Sequence, residues 1–135
     1  MADAVTSTTL LDSDRLAIIQ LTNTSDGTGE SAVTKVDVSA LQPNSLGKAC
    51  TGVRLAKIVY STFGMSVKLL WDATTDTICW DLNENYTDSE DFTEFGGIVN
   101  TAGTGKTGDI KLTTTGHASG DSYVIVLTLT KDYAA

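Results

Sequence analysis

Val53-Arg-Leu-Ala-Lys-Ile-Val-Tyr-Ser-Thr62, Met65-Ser-Val-Lys-Leu-Leu-Trp-Asp72 and Thr77-Ile-Cys-Trp-Asp-Leu82 are the stretches that decide the fold. Each is short, rich in β-branched and aromatic residues, and bounded by turn formers: Phe63-Gly64 before the second and Ala73-Thr-Thr-Asp76 before the third. Side chains alternate across a strand, so Ile78, Trp80 and Leu82 share one face and can meet Val67, Leu69 and Trp71 across a pair. Together the three stretches predict a β-meander over 53–62, 65–72 and 77–82.

The flanking chain has the same character. Arg15-Leu-Ala-Ile-Ile-Gln-Leu-Thr-Asn-Thr24 is apolar on both parities, as expected of a strand covered on both faces. Ser25-Asp-Gly-Thr-Gly29 turns the chain, and Ser31 to Ala40 then alternates with Val36 and Val38 on one face. Gln42-Pro-Asn-Ser45 and Gly47 break it again. Near the C-terminus Asp109-Ile-Lys-Leu-Thr-Thr-Thr115 alternates, Gly116 to Asp121 turns, and Tyr123, Ile125, Leu127 and Leu129 line the inward face of a last strand. No segment keeps a 3.6-residue apolar period over three turns, so helix should fall below about a tenth of the chain. Seven to nine short strands with Gly/Asp turns predict an all-β, single-domain antiparallel β-sandwich, jelly-roll-like, over residues 14–135. Residues 1–13 read as an N-terminal arm or a short first strand.

Composition agrees. The 135 residues fit one domain, and 41% hydrophobic residues suffice for a core. Threonine occurs 22 times and glutamate only four, with a single proline, a balance suited to half-buried strands. Nine Lys+Arg against 17 Asp+Glu leave a net charge of −8, and no basic cluster overrides it. Such a chain repels phosphate backbones, so neither nucleic acid nor an anionic membrane is an expected partner. No apolar run approaches the ~20 residues of a membrane helix. Met1-Ala-Asp-Ala-Val5 lacks a basic n-region, so no signal peptide is expected. Cys50 and Cys79 lie 29 residues apart without CxxC spacing; they read as buried thiols, with pairing left open.

The motifs that carry chemistry each break their own rule. Gly103-Thr-Gly-Lys-Thr-Gly108 satisfies GxGxxG, but a strand-like run follows where a phosphate cradle needs a helix. Asp81-x-Asn83-x-Asn85 opens like a calcium loop, yet Tyr86 stands at the glycine position and Phe92 at the bidentate glutamate position. The acidic stretch Asp81, Glu84, Asp88, Glu90, Asp91 and Glu94 therefore reads as a solvated loop. His117 sits between Gly116 and Gly120 without a GxSxG elbow. A non-enzymatic protein with no catalytic residue, no cofactor and no metal site is expected. Residues 83–108, acidic and then glycine-rich, are too long for a plain connection; they form a functional loop or hide a short element. Within them Phe92, Phe95 and Ile98, with Val99, form an apolar cluster. It either pins the loop to the core or anchors a partner surface.

Several stretches carry a resemblance. They are Thr22-Asn-Thr-Ser-Asp-Gly-Thr-Gly-Glu-Ser-Ala-Val-Thr-Lys-Val-Asp-Val-Ser-Ala-Leu41, Met65 to Asp76, Phe95-Gly-Gly-Ile98, Gly103 to Asp109, and Thr115-Gly-His-Ala-Ser-Gly-Asp-Ser-Tyr123. In these the chain resembles small virion structural proteins of tailed bacteriophages, especially phages of cyanobacteria. The resemblance spans residues 15 to 131 and rests on turns and strands, so it identifies a scaffold and not an activity. It implies a multi-copy virion part assembled in the host cytoplasm. A capsid decoration (cement) protein is the first expectation: a homotrimer binding the major capsid protein through residues 84–108 and the N-terminal arm, with Phe92, Phe95 and Ile98 in contact. A neck or tail subunit is the alternative. From another class, a carbohydrate-binding sandwich would stack Trp71, Trp80 and Tyr86 on sugars; the apolar parity of both tryptophans favours the core instead.

Overall fold

The structure is a computed structural model that describes residues 4–116 and 118–133; the side chains of residues 4 and 95 are outside the description. Nine strands form among the described residues: β1 (Ala4–Asp12), β2 (Leu16–Thr24), β3 (Val33–Val36), β4 (Cys50–Phe63), β5 (Ser66–Trp71), β6 (Thr77–Leu82), β7 (Thr87–Asp91), β8 (Ile110–Thr115) and β9 (Ser122–Tyr133). The only helical turns among the described residues are 3-10 turns at Val38–Ala40 and Thr93–Phe95. Two antiparallel sheets result, in the orders β1-β2-β9-β4-β7 and β3-β8-β5-β6. Strands β2 to β9 thus follow the double Greek-key order of a jelly roll, with β1 added beside β2. The all-β sandwich expected from the sequence is the observed architecture.

The core lies between the inner faces. Ala17, Ile19 and Leu21 of β2, Leu55, Ile58 and Tyr60 of β4, and Ile125, Leu127 and Leu129 of β9 point inward from the five-stranded sheet. Val67, Leu69 and Trp71 of β5, with Ile110 and Leu112 of β8, meet them from the other. Two sheets stacked about 10 Å apart bury one parity of β2, β4, β5, β8 and β9.

The meander is corrected in one respect. β5 pairs with β6, but β4 does not pair with β5; they lie in different sheets. The chain crosses between layers at Gly64, whose φ is +77°. A Cβ there would lie 2.2 Å from an Asp121 carboxylate oxygen. Residues 53–62 and 65–72 therefore face each other through the core. Alternation alone cannot separate that arrangement from a hairpin, because both bury the same parity. A second correction concerns β6: the register slips between Leu69 and Leu70, and Ile78 turns outward at 52% exposure while Cys79 is buried. The long segment 83–108 hides a short strand, β7, and one 3-10 turn.

Residues 4–12 form a first strand rather than an arm, and a buried cation secures its end. Lys131 Nζ, its side chain fully buried, donates to Asp12 Oδ1 at 2.6 Å, Gln42 O at 2.8 Å and Ser13 O at 2.9 Å. Asp12 Oδ2 accepts from Gln42 N at 2.9 Å. Burial alone would lower the Lys131 pKa, but the Asp12 carboxylate and the Tyr133 hydroxyl more than offset it and hold the pKa above the ordinary value. Removing one partner of a buried pair costs about 3 kcal/mol or more. Lys131→Met should therefore destabilise the domain by about that much in urea unfolding at pH 7. A raised folded-state pKa gives stability that is complete below the unfolded value and lost as pH rises past the folded one. The gap between wild type and Lys131→Met should thus stay constant up to about pH 10 and narrow only above it.

Candidate functional site

In the 92–98 segment Phe92 and Ile98 are engaged with the core. Phe92 is 8% exposed, and its ring stands edge-on to Trp80 with centroids 4.9 Å apart. Its backbone N–H donates to Ala56 O at 2.7 Å, and Ala56 is the extra residue of a bulge in β4. Ile98 packs on the core and exchanges two backbone hydrogen bonds with Leu55, at 2.9 and 3.1 Å. Of the two accounts of the cluster, the geometry of Phe92 and Ile98 matches pinning. The Phe95 side chain lies outside the described residues. Phe→Ala substitutions in cores cost roughly 3–5 kcal/mol. Phe92→Ser alone should therefore lower the urea midpoint sharply, by an amount equivalent to about 3 kcal/mol, with the slope unchanged.

A second polar lock sits where the sheets meet. Glu30, in the turn after β2, has a side chain 6% exposed. Its Oε1 accepts from Asn23 Nδ2 at 2.7 Å and from the Tyr123 hydroxyl at 2.6 Å, and its Oε2 forms an ion pair with Lys35. Its N–H donates to Thr114 Oγ1 at 2.9 Å, and Thr114 N–H returns 2.9 Å to its carbonyl. A buried charge held this way is fully engaged in fixing the sheets' register. In the sequence Glu30 looks like any acid beside a turn, and only the long-range partners reveal it.

The glycine-rich loop is equally structural. Gly103–Gly108 leads into strand β8, and the Thr107 hydroxyl donates to Asp72 Oδ2 at 2.7 Å. Lys111 Nζ lies 2.8 Å from Asp72 Oδ1 and 3.5 Å from Asp76 Oδ2. The hydrogen bonds from Lys111 and Thr107 hold the Asp72 carboxyl below the ordinary carboxylate range. Burial raises Asp109, although Val38 N–H donates to it at 2.9 Å. Both cysteines are free and buried, and burial pushes the Cys79 thiol up to about 12. Among the described residues no three His, Cys, Asp or Glu side chains are grouped to hold a metal. His117 is outside those residues.

Trp71 is fully buried and Trp80 packs against the core, while Tyr86 is 47% exposed and stacks on Tyr60 at 6.3 Å. The three do not form one aromatic platform. A shallow hollow of about 330 Å³ runs between Thr51–Val53, Asn100 and Lys106–Gly108.

What remains is the outer face of the five-stranded sheet. Cross-strand registers fix its rows. One row runs Ser89, Val59, Val126, Gln20, Thr8, and the next Thr87, Ser61, Val124, Thr22, Thr6. On one side follow Asp91, Lys57, Thr128, Ile18 and Leu11; on the other are Phe63, Ser122 and Thr24. Val59, Val124 and Phe63 are 41, 43 and 63% exposed. Within these four rows the charged residues are Lys57 and Asp91, opposite in sign and directly cross-strand. The apolar outer parity of β2, expected to be covered, forms part of this half-open face, with Ile18, Gln20 and Thr22 only half-buried.

No family model matches the chain, and no curated protein matches it. Among solved structures it is similar to a cupin superfamily protein from Desulfitobacterium hafniense, at 14% identity with a TM-score of 0.36. That likeness covers 97% of this chain and 80% of the other, and at this level it bears on no functional question.

Proposed function

We propose that this protein is a structural subunit of a bacteriophage virion, a capsid decoration protein that docks on capsid subunits through the outer face of its five-stranded sheet. One observation carries the reading: a chain of net charge −8 keeps four adjacent rows of this sheet almost free of charge. Acidic side chains cost desolvation energy when buried, so their exclusion from a broad hydroxyl-and-methyl surface suits protein contact. Threonine and valine on a rigid sheet also lose little side-chain entropy on burial. The phage resemblance supplies the assembly, and the face supplies the means. Phe92 and Ile98, engaged in the core, leave the contact role to Val59, Val124, Val126 and Phe63.

Val59 and Val126 are directly opposite on β4 and β9, so charge at both sites would place two carboxylates at the centre of the face. Val59→Asp with Val126→Asp should leave a folded domain, because both residues point away from the core. Capsid binding in co-sedimentation should fall at least tenfold, the equivalent of ~1.4 kcal/mol. Wild-type saturation by the folded double variant would move the contact elsewhere.

A further inference from the structure

An edge strand leaves alternate backbone N–H and C=O groups without a ladder partner, so edges are where a β protein can take on another chain. Among the described residues, β1, β7, β3 and β6 close the two sheets. Three are guarded. β7 carries Asp88, Glu90 and Asp91 within five residues. β3 is only four residues long. β6 is interrupted by the slip at Cys79 and carries Asp81. β1 is different. Its nine residues, Ala-Val-Thr-Ser-Thr-Thr-Leu-Leu-Asp, hold no proline and no lysine, and the carboxylate of Asp12 is already bound to Lys131. The strand is regular as far as Thr9, where a bulge at Leu10 intervenes. Residues 5 to 11 are exposed, with Val5 at 45% and Leu10 at 54%.

We propose that β1 is a homotypic pairing edge. The β1 strands of two copies run antiparallel about a two-fold axis through Ser7, and the two five-stranded sheets become one ten-stranded sheet. The register follows from the pleat. A two-fold axis normal to the sheet keeps outer face beside outer face, so each residue must meet one of its own parity. With the axis at Ser7, Thr6 meets Thr8 of the second copy, and Val5 meets Thr9. Hydroxyl and β-branched cross-strand pairs of this kind are favourable, and no like charges meet although each copy carries −8. The same operation at β7 would set carboxylates against carboxylates. A second copy is thus the occupant whose charge and sequence fit this edge.

The contact is one strand wide and, with Ala4 to Leu10 of each copy overlapping, about 23 Å long. It therefore sits at the low end of specific interfaces, and the dimer should be weak and concentration-dependent. The trimer implied by the phage resemblance would instead need β1 to meet a different surface of the next copy, head to tail. The pairing does not rest on the virion reading. A protein that dimerises through β1 and never binds capsids loses that reading and keeps this one.

Sedimentation equilibrium between roughly 10 μM and 1 mM tests it, a range matched to a weak contact. The mass should rise from 14.2 kDa toward twice that value. Thr6→Glu/Thr8→Glu and Thr6→Lys/Thr8→Lys, at exposed positions, should each weaken association at least tenfold. An equimolar mixture of the two should restore it. For the wild type, amide exchange in β1 should slow with concentration while exchange in β6 does not. A monomer throughout the range would overturn the proposal. So would a dimer or trimer that Thr6→Glu/Thr8→Glu leaves intact, a mixture that fails to recover, or β1 exchange indifferent to concentration.

Discussion

β4 and β9 run antiparallel along their whole length, from Cys50 opposite Tyr133 to Phe63 opposite Ser122. Every other part of the larger sheet is hung on that ladder: β2 pairs on the far side of β9, β7 on the far side of β4, and β1 on β2. The two strands are separated by nearly sixty residues of chain, which must fold back as β5 to β8 before the ladder can close. Such non-local pairing carries a large loop-closure cost, and buried apolar residues at one parity of both strands offset it. The bulge at Ala56 belongs to the same ladder, and its carbonyl receives the Phe92 amide. The segment that most resembles a free loop is in this way tied to the centre of the sheet.

Two buried ion pairs complete the frame at points where hydrophobic packing cannot specify position. Lys131 fixes the turn between β1 and β2 against the 41–44 segment, and Glu30 fixes the turn after β2 against β3, β8 and β9. Both locks use charges that are almost wholly removed from water, so each is costly to break from one side. They let the adjoining surfaces stay simple. The open edge of β1 and the hydroxyl-rich face beside it need no polar network of their own to hold shape.

Much of this was legible in the sequence. Alternation placed β8 and β9 and the inward residues Tyr123, Ile125, Leu127 and Leu129, because a strand with one buried face must alternate, whereas β2 was marked by an apolar run on both parities. Partnership was not legible: whether β4 lies beside β5 or across from it depends on Gly64 and Asp121, which alternation does not register. The apolar outer parity of β2 was visible in Ile18, but in a single strand a covered face and a half-open one look alike. Phe92 was seen as an apolar residue in an acidic setting, and its burial depends on a bulge 36 residues earlier. Glu30 and Lys131 carried no signal, since a buried charge is defined by partners remote in sequence.

The central functional claim concerns one face of one sheet, and hydroxyl-radical footprinting of the free chain and of the chain bound to capsids tests it most directly. The account predicts that Val59, Phe63 and Val124 lose reactivity on binding, while Ile78 on the other sheet and Leu46 in the 41–49 loop keep theirs. Protection of Ile78 and Leu46, with Val59, Phe63 and Val124 unchanged, would contradict it.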